Sequence, residues 1–129
     1  MSSLLEDLIT KLRADAAVTA IVGSGALAKL HVNFAPPGEA APYVVMRVIS
    51  GVPENSLTTD VSTRLTSTRV QVDAYAKLYG AARDLGDAVD RVISALASPD
   101  LAAQKVGDRD LYDNAAKLQC VSQDFEVYR

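Results

Sequence analysis

The chain has 129 residues, 49% of them apolar and 22% charged, with two Phe and no Trp, enough for one domain with an aliphatic core of its own. Thirteen Lys and Arg stand against sixteen Asp and Glu, a formal charge of −3 without any basic run, which excludes the phosphate-gripping surface of a nucleic-acid-binding protein. One Cys and one His exclude an internal disulfide and a His/Cys zinc site, and suit a reducing compartment.

The N-terminal MSSLLEDLITKLR places acids among its leucines and lacks the basic n-region of a secretory signal. No apolar run approaches the roughly 20 residues that a bilayer-spanning helix needs. Leu4, Leu5, Leu8, Ile9 and Leu12 recur at helical spacing, and Ser3 with Glu6 forms a capping box, so an amphipathic helix is predicted over residues 3–14. DAAVTAIVGSG predicts a short second helix that stops where Gly23 takes the left-handed C-terminal conformation. Leu30 to Phe34 reads as a short strand. APPGEAAP, with three of the five prolines, is a stiff connector.

YVVMRVIS, residues 43–50, is apolar on both faces except at Arg47, the pattern of a central strand. Residues 51–63 read as a long loop, or as a hairpin tip whose arms extend the flanking strands. Thr66, Thr68, Val70, Val72 and Ala74 alternate with Ser67, Arg69, Gln71 and Asp73, which predicts a half-buried strand with one polar face. After Lys77 the period changes to that of a helix, with Leu78, Ala82, Leu85, Val89, Val92 and Leu96 forming the buried stripe and Ser98–Pro99 the stop. Asp108 to Asp113 and Leu118 to Tyr128 read as a closing hairpin around DNAA. Leu118 and Cys120 fall in one phase, Phe125 and Val127 in the other, which predicts a bulge near Ser122.

Few of these residues suit catalysis. GSGALA, residues 23–28, matches the dinucleotide fingerprint by letters, but that fingerprint works only between a strand and a long helix, and here a helical segment precedes it. It reads as a C-cap and turn. His31 and Cys120 are the only nucleophile and base pair available, and a thiol among Leu118 and Val121 reads as a small core residue. Asp84, Asp87 and Asp90 read as a solvated face paired with Arg83 and Arg91. Asp108, Asp110 and Asp113 lack the turn glycine and distal glutamate of a calcium loop. No cofactor or metal is expected.

The order of elements then carries most of the information. The helix LLEDLITKLRAD leading to AIVG, the strand PYVVMRV after a proline-bearing connector, VQVDAYA running into ARDLGDAVDRVISAL, and a final QDFEVY together resemble the tail-completion or tail-terminator proteins of long-tailed bacteriophages and gene-transfer particles. The resemblance covers most of the chain. It implies a single α+β domain over residues 1–129, a mostly antiparallel sheet with an N-terminal helix and one long helix packed on one face. It further implies a non-enzymatic virion protein, made in the cytoplasm of a host bacterium. Such a protein forms a hexameric ring at the head-proximal end of the tail, between the tail tube protein and the head-connector protein, with DNA passing through unbound and no membrane involved. On that reading Glu54, Asn55, Asp60, Arg64, Arg69 and Asp73 are the ring or channel contacts, the acidic loop facing the channel or the adjoining ring. The alternatives are a head-closure adaptor, or a small enzyme using His31 or Cys120.

Overall fold

The computed structural model describes residues 4–23, 25, 28–54, 65–98 and 101–128. Helix α1 (Leu4–Arg13) buries Leu5, Leu8, Ile9 and Leu12, the predicted stripe; Ser3 of the capping box lies outside the described residues. Helix α2 (Ala16–Val22) starts at Asp15, whose carboxylate accepts the Val18 N–H at 3.1 Å, satisfying one of the orphan donors of a first helical turn. Gly23 ends it with φ 95° and ψ 169°. That is not the left-handed helical conformation expected: the backbone turns extended at once, and the Lys29 N–H returns to the Val22 carbonyl at 2.9 Å.

Six strands form one sheet: β1 (Leu30–Val32), β2 (Tyr43–Glu54), β3 (Leu65–Ala76), β4 (Ala97–Ser98), β5 (Leu101–Asp113) and β6 (Leu118–Tyr128), in the order β1-β2-β3-β6-β5-β4. The β1–β2 pairing is parallel and the other four are antiparallel. The arms of β2 and β3 extend to Glu54 opposite Leu65, so residues 51–54 are strand, as in the hairpin reading; residues 55–64 lie outside the described residues.

Two expectations about strand placement are corrected. β2 is not central: past Met46 its outer side is uncovered by β1, and Val48 and Ile49 are exposed. The central strands are β3 and β6. For the same reason β6 has no bulge near Ser122. Its register with β3 is unbroken from Gln119 to Tyr128, and the change of phase arises because Phe125 and Val127 face the helices while Leu118 and Cys120, on the opposite face, are buried among the side chains of the flanking strands. The bulges lie instead on β2, between Val48 and Ser50, and on β5, between Lys105 and Gly107.

Helix α3 (Tyr79–Ser94) lies across the sheet on the same side as α1 and α2 and buries Ala82, Leu85, Gly86, Ala88, Val89 and Ile93. It starts later and stops earlier than the stripe predicts. Leu78 is 73% exposed, and the chain after Ala95 makes the two-residue β4 where a simple stop is expected. At Gly86 helix and sheet approach closely: a Cβ there would lie 2.8 Å from Val121 Cγ1, and Gln123 Nε2 donates to the Gly86 carbonyl at 3.0 Å. The core between the layers joins these residues to Val44, Met46, Val70, Val72, Val121, Phe125 and Val127.

Candidate functional site: the open face of the sheet

The helices all pack on one side, so the alternate side chains of β2, β3, β6 and β5 share a face that no described helix covers. Side chains directly opposite on paired strands point the same way, and the register sets them in rows. Tyr43, Tyr75, Cys120 and Leu111 form one row; Val45, Asp73, Ser122 and Arg109 the next; Arg47, Gln71, Asp124 and Gly107 the third. Arg69 stands opposite Glu126 beyond them.

The first row is aromatic and apolar. Tyr43 and Tyr75 stack with ring centroids 4.9 Å apart, and His31 meets Tyr43 edge-on at 6.4 Å. His31 Nε2 pairs with Glu39 of the proline-rich connector, which holds that connector against the sheet edge. Cys120 is 4% exposed, and burial, with Asp73 adding repulsion, pushes its thiol up to about 12. Thiolate chemistry needs the opposite environment. His31 and Cys120 each sit in the Tyr43 row's neighbourhood, yet each has structural partners of its own.

The other rows are ionic. Asp73 is only 4% exposed; Gln71 Nε2 donates to both its oxygens at 3.0 Å and Arg47 Nη2 approaches at 3.4 Å. Arg109 pairs with Asp124 at 3.3 Å and Arg69 with Glu126 at 3.7 Å. Each pair crosses between neighbouring strands, so the charges lock the sheet laterally. Among the described residues, Arg47 Nε, Ser122 Oγ, Asp124 Oδ1 and Glu126 Oε2 are buried without a hydrogen-bond partner. Buried polar atoms are usually satisfied, so the concentration of such atoms on the face that no described helix covers sets it apart from the helix-side core.

Of the six residues expected to make contacts, Arg69 and Asp73 lie on this face. Glu54 ends β2, and Asn55, Asp60 and Arg64 fall outside the described residues. The polar face expected of this strand is there, but Ser67 and Asp73 on it are both only 4% exposed, because β6 and β2 flank them. Arg47 was missed as a partner of Asp73. Its signal was available, since it interrupts an apolar run in the strand next to the alternating one.

On the helix side, Arg83 gathers the acids that read as two separate sets. It pairs with Asp87 at 3.2 Å, Asp108 at 2.8 Å and Asp110 at 3.1 Å, while Lys105 bridges Asp90 and Asp108. Arg91 pairs with Asp15 at 3.2 Å, where the spacing suggested Asp87. An open groove between α1 and the end of α3 is lined by Asp7, Thr10, Lys11, Leu96 and Leu101, and the Thr10 hydroxyl donates to the Glu6 carbonyl of its own helix.

A comparison with known protein families matches residues 6–128 to one described as Tail completion protein gp17. The chain belongs to that family. It is therefore a structural protein of the phage tail and a virion component, one that works against other tail or head proteins. Among solved structures, a chain described as "Virion of native gene transfer agent (GTA) particle" is similar in fold, with a TM-score of 0.70 at 19% identity, covering 98% of this chain and 93% of that one. A comparison with curated proteins found no match. A tail completion protein works by what it touches, and a site on such a protein is a surface. Among the described residues no helix is long and apolar enough to cross a membrane.

Proposed function

We propose that this tail completion protein assembles as a ring of six at the head-proximal end of the tail, stops polymerisation of the tube, and offers its other side to the head connector. The family match over residues 6–128 carries the reading. The likeness to a chain of a gene transfer agent virion supports the same kind of particle, and the uncovered sheet face with its unsatisfied polar atoms supports function through contacts. The protein is non-enzymatic, and DNA passes through the ring without being held.

The contact set includes Glu54, Asn55, Asp60, Arg64, Arg69 and Asp73. Asp73 acts indirectly, by orienting Arg47 and Gln71 from beneath. The segment between Glu54 and Leu65 carries Glu54 and Asp60 with no Lys or Arg before Arg64. Facing the channel or the adjoining ring, it repels the phosphate backbone, where a basic segment would bind it through counterion release. Cryo-electron microscopy of particles bearing the protein tests the reading: a sixfold ring at the tube's head-proximal end is expected, and its occurrence elsewhere, or without rotational symmetry, overturns it.

A further inference from the structure

The large apolar side chains exposed among the described residues collect at the two lateral edges of the sheet. At the β1–β2 edge they are Val32, Phe34, Val48 and Ile49. At the β5 edge they are Val106, Leu111 and Tyr112, joined by the start of α3, where the Tyr79 hydroxyl donates to Asp110 at 2.9 Å. Contiguous exposed apolar surface marks interaction sites, and here there are two unlike ones.

The edges also fit each other in outline. β1 covers only Val44–Met46 of β2, and β4 covers only Leu101–Ala102 of β5. These short strands stand at diagonally opposite corners, because Ala102 lies level with Tyr128 and Ser67 while β1 lies level with Val72–Ala74. A step on one side thus matches a recess on the other. The two bulges stand at nearly the same height: Ile49 is the extra residue opposite Val70 and Arg69, Val106 the extra residue opposite Phe125 and Asp124, and Val70 itself pairs with Phe125. β2 and β5 run antiparallel through the intervening pairings, so a neighbour related by rotation sets its β5 antiparallel to β2. Lys29 and Arg47 flank the first edge, whereas the stretch from Asp108 to Asp113 has three Asp against Arg109. Arg83 and Lys105 answer Asp108 and Asp110 from the helix side, and Arg47 is paired with Asp73, so neither edge carries a charge that repels the other and the fit is one of shape and apolar surface.

We infer that a second copy of this chain is the occupant of both edges: the β1–β2 edge of one copy packs head to tail on the β5 edge of the next, with Ile49 against Val106 at the centre. A two-fold contact uses one patch twice, whereas a head-to-tail contact needs two different patches. Equal height of the two bulges suits a relation by rotation without a climb, which a closed ring requires and an open filament does not. Bulged edges are poor templates for indiscriminate strand pairing, which suits a contact made by side chains and not by an open-ended ladder.

The inference rests on the ring reading and is tested separately from it. Particles assembled with the Ile49→Cys, Val106→Cys double variant are treated with a short bismaleimide; native Cys120 is buried with its thiol raised and does not label. A ladder of covalent multimers is expected from the double variant and none from either single variant. A ring visible by microscopy without a ladder overturns this contact and leaves the ring; particles with no ring overturn both. Val48→Asp gives the second readout, a native circular dichroism spectrum with ring formation lost. Rings built normally by folded Val48→Asp protein also overturn the contact.

Discussion

Asp108 shows how much one side chain is asked to hold. The Arg83 hydrogen bond, opposed by burial and reinforced by Lys105, brings its carboxyl down to about 2, below the roughly 3.9 of an unfolded Asp. A depressed carboxylate contributes stability that is complete above about pH 4 and is lost as pH falls through about 2. Asp108→Asn should therefore lower stability at neutral pH by of order 1 kcal/mol after solvent screening, and should flatten the acid limb of a thermal-midpoint titration between those values. Gly86 makes a sharper case. Replacing a mid-helix Gly by Ala ordinarily gains up to ~1 kcal/mol, but here the new methyl meets Val121 Cγ1 at 2.8 Å, and Val121 is fully buried. Gly86→Ala should destabilise by ~1–3 kcal/mol in urea denaturation. Cys120→Ser, by contrast, should cost about 1 kcal/mol for a hydroxyl in a thiol's place, and His31→Gln should leave particle assembly intact; lost assembly by either variant with unchanged folding would restore a chemical role.

Among the elements, those with strong periodicity were legible. The stripes of α1 and α3, the alternation in β3 and the β5–β6 hairpin all follow from local side-chain spacing, and local spacing is what a sequence displays. What stayed hidden depends on neighbours. β4 is two residues long and exists only because Leu101 and Ala102 pair with it. The phase change in β6 looked like a bulge because nothing in its eleven residues says that neighbouring strands bury Leu118 and Cys120 on the face away from the helices. The open face was half legible: its polar members stood out in β3, but the burial of Asp73 depends on Arg47 and Ser122 arriving from strands remote in the chain. The β2–β3 hairpin yields its own prediction. Its arms are held by register up to Glu54 and Leu65, so shortening the segment from Glu54 to Asp60 should leave the circular dichroism spectrum unchanged while reducing the yield of infectious particles. Glu54→Lys with Asp60→Lys should slow DNA ejection, and unchanged ejection would make the segment a mere connector.

At the scale of the whole molecule, the sheet order places β6 between β3 and β5, and with it Phe125, fully buried opposite Val70. Phe125→Ala should remove about 3–5 kcal/mol, enough to leave a domain of ordinary stability barely folded, as measured by the thermal midpoint. The same placement governs the timing of folding during synthesis. The α3-linked β2–β3 hairpin leaves the ribosome with one side of β3 unpaired, and that side waits for Leu118–Tyr128, some forty residues further along by the Tyr75–Cys120 and Ala76–Gln119 pairings. Non-local pairing of this kind is slow, and the waiting edge is the kind that recruits foreign strands. Nascent chains arrested before Leu118 should accordingly stay protease-sensitive and gather chaperones, and those arrested after Tyr128 has cleared the exit tunnel should not. A subunit whose middle strand is made after both of its neighbours cannot join a tail half-finished, so translation itself keeps incomplete copies out of the virion.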